Sequence, residues 1–334
     1  MDRRLVLWSG LLLTLVWVIC LYVPQHHATA RSEPNGVTNP ELQMRTELPA
    51  PRTEVCEDWK FEMVEGTRLD PELEEMSGIA YSRHWKNLLY HIADSGNAPL
   101  LLLTRPSGEL LQKIPYAERS SDPEDLDVGT CPWGGSCIYV ADTGDNFHLR
   151  RERQVIIIDE PSLLSPQPKK MTLRIEFPDR ERIDVEALAV HPKNGSLYLF
   201  SKVKKRSRVF ELPQPWNTEV IQAREIAVLK KFDHITGAQF HPLGDRLLLI
   251  NWQGAIELSE GPRPAFQREA RSWYPYQRKI SIPPSVQPEA IAYSLNGLSL
   301  VYSSEKKKWS KKWWGMVSGQ CLTPMDRGEG EAKP

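Results

Sequence analysis

Excess positive charge is missing from this chain: 42 lysines and arginines stand against 43 aspartates and glutamates, a net charge of −1 over 334 residues. A protein that neutralises many phosphates needs a basic surplus, so nucleic acid is excluded as the main partner. Helical periodicity is nearly absent too. Only Gln222 to Leu229 would fit one or two helical turns, and a strand suits it as well. No Gly-x-Ser-x-Gly elbow and no phosphate-binding glycine loop occurs, which removes the enzyme classes that depend on them. The eight histidines show neither i, i+4 nor cysteine-paired spacing, so no zinc site is written here. His191 and His241 each precede proline in equivalent stretches and read as structural. His91, His148 and His234 have no nucleophile signature beside them.

Cysteine is scarce, and its placement is informative. Of five cysteines, Cys20 lies in an apolar run, which leaves Cys56, Cys131, Cys137 and Cys321, an even number suited to an oxidising compartment. Four cysteines allow three pairings. Cys131 with Cys137 across Pro-Trp-Gly-Gly-Ser, and Cys56 with Cys321 tying the ends of the folded part, are preferred over free buried thiols. The 40% hydrophobic and 25% charged content carries no sign of global disorder.

At the N-terminus Arg3 and Arg4 precede an apolar run from Leu5 to Val23, followed by Ala28-Thr29-Ala30, a small-x-small cleavage pattern. Residues 1–30 are thus a hydrophobic helix acting as an uncleaved type II signal anchor or a cleaved signal peptide, and either places the rest outside the cytoplasm, membrane-anchored or secreted. Residues 31–55, punctuated by five prolines or glycines among polar residues, read as a disordered linker. The tail 322–334 reads as disordered.

Between Cys56 and Cys321 short β-rich runs are separated by Gly, Pro, Asn and Asp. Asp184 to Pro192, then Asn194-Gly195, then Leu197 to Phe200 reads as a hairpin with a type I′ turn. The same unit recurs as Ser77-Gly-Ile-Ala-Tyr81, Glu124-Asp-Leu-Asp-Val128, Glu186-Ala-Leu-Ala-Val190, Thr236-Gly-Ala-Gln-Phe240 and Glu289-Ala-Ile-Ala-Tyr293, at intervals of 47, 62, 50 and 53 residues. Four-stranded propeller blades take roughly 40 to 50 residues each. The 32 residues from Glu289 to Cys321 and the 21 from Cys56 to Ser77 wrap to the same spacing, so a strand near Trp59 to Val64 would complete the last blade. The expected fold is an all-β, five-bladed β-propeller over 56–321. Six blades remain the alternative, because the 62-residue interval is loose and Arg263 to Ser281 could hide a strand pair.

Ser77-Gly-Ile-Ala, Ile92-Ala-Asp-Ser-Gly96, Pro123-Glu-Asp-Leu-Asp127, Tyr139-Val-Ala-Asp-Thr-Gly-Asp-Asn146, Asp184-Val-Glu-Ala-Leu188 and Pro288-Glu-Ala-Ile-Ala292 resemble exported β-propellers of the phytase-like esterase group. More remotely, they resemble the gluconolactonases and paraoxonases. The resemblance covers about residues 70 to 305 and implies fold more than reaction. Lactonase-type relatives hold calcium at the channel mouth through Glu, Asn and Asp, a set that does not map residue by residue onto this chain. Thr236 and Ser77 stand where the sister repeats have an acid.

Inner strands of a propeller line its channel, so Glu124, Glu186 and Glu289 converge, with Asp94, Asp142 and Asn251 at the ends of the next strands. Such oxygens suit Ca2+. The competing reading is that they cap backbone amides and fix blade register. Asp142-Thr-Gly-Asp-Asn146 lacks the full EF-hand set and reads as an Asx-held turn. Lys306 to Trp314 is either a membrane or sulfated-glycan contact or a charged blade edge, and Asn194-Gly-Ser196 is a glycosylation sequon. Two functions follow: a module binding a small ligand or extracellular protein through its channel and blade-top loops, or a metal-assisted hydrolase of an ester, lactone or phosphate.

Overall fold

A computed structural model describes residues 42–150, 152–216, 220–230, 232, 234–261, 267–268, 273–307, 310–311 and 313–322. The signal or anchor segment 1–30, the first part of the linker, and the tail beyond Leu322 lie outside the described residues. Among the described residues no helix is long and apolar enough to cross a membrane.

Among the described residues twenty-two strands make five sheets. β1 (Asp58–Glu65) comes first and is used last. The first blade is β2 (Met76–Tyr81), β3 (Leu89–Ala93), β4 (Leu100–Thr104) and β5 (Leu110–Pro115). The second is β6 (Pro123–Thr130), β7 (Ser136–Asp142), β8 (Arg153–Asp159) and β9 (Lys170–Glu176). In the third, β10 (Val185–Val190), β11 (Leu197–Ser201) and β12 (Ser207–Leu212) are followed by β13 (Val220–Gln222), which crosses to run parallel beside β9, and β14 (Arg224–Leu229), which closes the sheet. The fourth holds β15 (Gly237–Phe240), β16 (Arg246–Asn251), β17 (Gly254–Ser259), the two-residue β18 (Gln267–Arg268) and β19 (Tyr276–Ile280). The fifth is β20 (Pro288–Tyr293), β21 (Ser299–Ser304) and β22 (Gly315–Leu322), completed by β1 on its outer edge.

The protein is therefore a five-bladed β-propeller. The loose 62-residue interval is taken up by long connections within the second blade, and the stretch from Arg263 to Ser281 does hold a strand pair, β18 and β19, which extends the fourth sheet and does not form a sixth blade. Closure is stapled by Cys56–Cys321, and Cys131–Cys137 clips the end of the second blade. The Gln222 to Leu229 stretch is strand.

Burial explains the strand order. Inner strands such as Val-Glu-Ala-Leu-Ala-Val are buried throughout, whereas the outer β9 alternates in the period of a half-covered strand. Five inner strands meeting at one axis leave little room for side chains. A Cβ on Gly78 would lie 2.6 Å from the Leu126 nitrogen, and one on Gly237 would lie 2.8 Å from the Glu289 carbonyl, so these two repeats carry glycine where their sisters carry alanine or aspartate.

The type I′ turn expected at Asn194-Gly195 is not formed. His191 N–H donates to the Ser196 carbonyl and Gly195 N–H to the His191 carbonyl, which leaves a four-residue loop with only Gly195 at positive φ (66°). Pro192 fixes its own φ in the negative range, so the chain reverses one step earlier and the glycine alone supplies the left-handed position. The fourth blade has a loop of the same length at His241 to Arg246, in which His241 Nδ1 accepts from the Leu243 amide and Gly244, one place earlier than Gly195, bonds back to the His241 carbonyl. Asn194 is exposed on the loop.

Residues 42–55, the described part of the expected linker, lie along the ring. Arg45 N–H donates to the His84 carbonyl (2.6 Å) and Arg52 N–H to the Asn296 carbonyl (3.0 Å). The buried Arg246 reaches the Glu54 and Arg52 carbonyls, and Arg278 reaches the Cys56 carbonyl, while Glu257 balances both cations. Two guanidiniums buried in the fourth blade need acceptors, and an extended segment presents them.

Candidate functional site

The first position is a bulge in four of the five repeats, the fourth blade being the exception. Between β2 and β3 the register shifts at Met76/Gly78, between β6 and β7 at Pro123/Asp125, between β10 and β11 at Val185/Ala187, and between β20 and β21 at Pro288/Ala290. The unpaired residues are Ser77, Glu124, Glu186 and Glu289. A bulge breaks the two-face alternation and re-aims one side chain, which is how four repeats point their first residue along the channel.

Glu124, Glu186 and Asp184 bring carboxylate oxygens within 4.8 Å of one another, and Glu124, Asp94 and Asp122 form a second such group sharing Glu124. Glu289 joins from the fifth blade, held by Gln287 Nε2 and by Trp252 Nε1 at 3.4 Å. Among these acids one lysine enters: Lys202 Nζ is 2.7 Å from Glu186 and lies 5.4 Å from the Trp252 ring centroid. The two non-acidic first positions serve the seams between blades. Ser77 Oγ donates to the Glu124 carbonyl (2.5 Å) and Thr236 Oγ1 to the Pro288 carbonyl (3.0 Å).

Two further candidates, Asp142 and Asn251, work locally. Asp142 accepts from the Ser121 and Asp122 amides and Gln154, and pairs with Arg150 at 2.7 Å. Asn251 Oδ1 accepts from the Gln253 and Gly254 amides, as a turn cap does. The loop after Asp142 is held in the same manner, since Asp145 Oδ1 accepts from the Leu149 and Arg150 amides.

Burial sets the electrostatics. Desolvation, followed by the charge of Glu186, pushes Glu124 well above the usual carboxylate range. Desolvation raises Glu186 to about 8 in spite of Lys202, and desolvation followed by Glu305 raises Glu289. Lys202 is held firmly charged by Glu186 against its own burial.

Glu124 and Glu186 are only 4% and 3% exposed, yet Glu124 Oε1 and Glu186 Oε1 have no hydrogen-bond donor. A bare backbone flanks them: a Cβ on Gly144 would collide with Glu124 Oε1. Buried carboxylate oxygens without donors, one of them packed closely on a glycine backbone, are the chemistry of a hard cation's ligands. The acidic clusters therefore could bind a metal ion, through Glu124, Glu186 and Asp184 with Asp94 and Asp122 adjoining.

Asp122, Asp184 and Lys202 were not singled out from the sequence, although a signal was there. Two positions before each first residue stand Glu75, Asp122, Asp184, His234 and Gln287, so the repeat carries its polar pair at i and i+2. Of the three candidate histidines, His91 is buried against Thr104 with its pKa lowered to about 3 by burial, His148 bonds the Arg182 carbonyl, and His234 stacks on the Trp252 ring at the edge of the site, centroids 5.9 Å apart. In the Lys306 to Trp314 run, Lys308, Trp309 and Lys312 lie outside the described residues. Lys306 pairs with Glu74 at 2.6 Å and Lys307 with Glu305.

No protein-family model and no curated protein matches the chain. Among solved structures it is similar to an auxiliary nutrient-binding protein of Bacteroides thetaiotaomicron, at 10% identity over 74% of this chain and 69% of that one (TM-score 0.41). It is similar to a gluconolactonase of Xanthomonas campestris at 11% identity, covering 70% and 68% (TM-score 0.39). A 6-phosphogluconolactonase-type structure from Bacteroides uniformis shares 16% identity over 70% of this chain and just under two thirds of its own length, 65% (TM-score 0.35).

Proposed function

We propose that this is an extracytoplasmic propeller that binds a divalent cation, calcium by preference, at the acidic end of its channel and acts there as a binding module. The ligand is a small oxygen-rich molecule or an extracellular protein. The observation that carries the reading is the pair of orphaned, buried oxygens on Glu124 and Glu186, set among Asp94, Asp122 and Asp184. Calcium accepts six to eight oxygens in irregular arrangements, which suits a ring of unequal blades better than the octahedron magnesium demands. The surrounding loops support binding. Phe147, Leu149, Val203 and Trp252, on connections at this end of three successive blades, are large apolar residues left exposed.

Metal-assisted hydrolysis of an ester, lactone or phosphate is the second reading. It is favoured by Glu289, a buried carboxyl outside the ligand groups that desolvation and Glu305 hold above the usual range, so that it could exchange a proton beside the cation's ligands. A bound cation held by Glu124, Glu186 and Asp184 would polarise the scissile group and lower the pKa of a bound water. The sequence resemblance to phytase-like esterase propellers is in keeping with it.

The test is a thermal melt and calorimetric titration with Ca2+, Mg2+ and Mn2+ against chelator, followed by ester, lactone and phosphate screens. Saturable Ca2+ binding without turnover selects the module, and turnover lost on chelation selects the hydrolase. A melt indifferent to every cation ends both.

A further inference from the structure

At the opposite end of the channel from the glutamates lies a cavity of about 250 Å3. The fifth residue of every repeat reaches it: Tyr81, Val128, Val190, Phe240 and Tyr293. The segment Leu48-Pro-Ala-Pro51 forms its outer wall. This cavity is separate from the acidic mouth because the middle of the channel is closed by side chains that cap the free inner strand edges. Asp125 accepts from the Leu188 amide (2.9 Å), Asp127 from the Val190 amide (2.8 Å) and Gln239 (2.7 Å), and Gln239 Oε1 from the Tyr293 amide (2.6 Å).

Tyrosine rings aside, the lining is apolar but for four groups, of which the Ser294 hydroxyl is spent on Asn296 Oδ1 and the Ser299 amide. Asp127 has its oxygens taken by the Val190 and Val128 amides and by Gln239, so it offers nothing to a cationic ligand. Gln239 is spent on Asp127 and Tyr293. Arg83 remains: its guanidinium is half-buried and makes no hydrogen bond or close ion pair among the described residues, and its charge reaches Asp127 only at longer range, pulling that carboxyl down against burial. A guanidinium carries five donors, keeps its charge at any pH of interest, and matches a carboxylate in fork geometry. Tyr293 turns its hydroxyl away to Glu257, which leaves ring faces toward the cavity.

The outer wall fits a site that admits a guest. It is anchored at both ends, by Arg45 to His84 and by Arg52 to Asn296. Pro49 and Pro51 between the anchors have no N–H to commit, and Leu48 is 47% exposed at the edge. Pockets of this composition, apolar walls with one or two placed polar groups, are those that bind small molecules.

We infer that this cavity is a second ligand site, for a small carboxylate with an apolar body, whose carboxylate pairs with Arg83 and whose body packs on Tyr81, Phe240, Tyr293 and the Leu48–Pro51 wall. One cation calls for one negative charge, and the volume for a short aliphatic or single-ring body. The site stands independently of any cation at the mouth.

The full chain with both disulfides is titrated calorimetrically with sodium octanoate and, as the uncharged counterpart, 1-octanol. Saturable one-to-one octanoate binding is expected, weakened about tenfold or more by Arg83→Gln with octanol binding unchanged. Leu48→Asp, an exposed position that folding does not depend on, brings a negative charge to the wall and weakens octanoate by a similar factor. Glu124→Gln leaves octanoate binding as it was. No saturable octanoate binding by the unaltered protein overturns the inference. So does octanoate affinity indifferent to Arg83→Gln in a variant whose near-ultraviolet circular dichroism is native, and should Arg83→Gln not fold, indifference to Leu48→Asp overturns it.

Discussion

At the first position of the repeat stand Ser77, Glu124, Glu186, Thr236 and Glu289; at the fifth stand Tyr81, Val128, Val190, Phe240 and Tyr293. Four residues apart on the same strands, they face opposite ends of one channel. The first end gathers acids, two of which keep an orphaned oxygen. The fifth is mostly apolar, its other polar groups are spent on one another and on backbone amides, and the Arg83 guanidinium makes no hydrogen bond among the described residues. What separates them is backbone geometry as much as residue type. In every blade but the fourth the first residue is bulged out of the ladder and swings toward the axis, while the fifth stays in regular pairing at or near the end of its strand. Between them Asp125, Asp127 and Gln239 cap inner strand edges that have no further strand to pair with, and so divide the channel in two.

The largest effect should come from removing that division. Asp125→Leu strands the Leu126 and Leu188 amides in a dry interior, and each unsatisfied group costs about 1–3 kcal/mol. A loss of about 2–4 kcal/mol in denaturant unfolding is expected. A loss below about 1 kcal/mol would mean that water fills the middle and the two ends are one space.

Next in size is the response of the acidic end to cation. With Ca2+ at about a hundred times its dissociation constant, stabilisation of about 2.7 kcal/mol should raise the melting temperature by about 5 °C. The double variant Glu124→Gln, Glu186→Gln should lose that shift while octanoate still binds at the other end. If the shift survives, the ligands lie elsewhere.

Much of this was legible beforehand. The five repeats, the closing strand near Trp59, both disulfides and the convergence of Glu124, Glu186 and Glu289 follow from spacing, because a blade's period and a strand's alternation are local properties of the chain. Asp142 and Asn251 were grouped with them for the same reason, but ladder ends also carry turns, and both side chains serve those turns. The type I′ expectation gave Asn194-Gly195 the whole reversal and overlooked Pro192. Least legible was the 42–55 segment. Its order depends on Arg246 and Arg278, which are buried some 200 residues away and need its carbonyls, and nothing in the segment's own composition announces that.

A third and smaller effect is in pH. Glu124, Glu186 and Glu289 hold protons in the folded state well above the ordinary carboxylate value, Glu186 to about 8, whereas the unfolded chain releases them near 4.5. Stability from these groups is greatest below that lower value and falls as pH rises toward 8, by about 1.4 kcal/mol for each tenfold loss of acidity that persists once the site relaxes. Asp127, raised to about 6, adds the same trend over a narrower window. Without cation the melting temperature should therefore drop between pH 5 and 8, and Ca2+ should restore it most at the upper end, releasing protons as it binds. A flat profile with chelator present would place the charges in water and remove the contrast between the ends.

The smallest and most specific change is Gly144→Ala. Gly144 is not in the left-handed region, so alanine costs the backbone nothing there, but its Cβ would press on Glu124 Oε1 and lie 2.5 Å from Asp122 Oδ2. Glu124 must swing aside, and its swing takes one oxygen away from the cluster it shares with Asp94, Asp122 and Asp184. Ca2+ affinity should fall about tenfold, about 1.4 kcal/mol, which trims the cation-induced melting shift by about 2–3 °C and leaves the metal-free melt and octanoate binding where they were. Because no ligand is deleted, a reduced shift in this variant reports the space beside Glu124. An unchanged one would mean that the ion, if bound, is held on the Glu186 and Asp184 side alone.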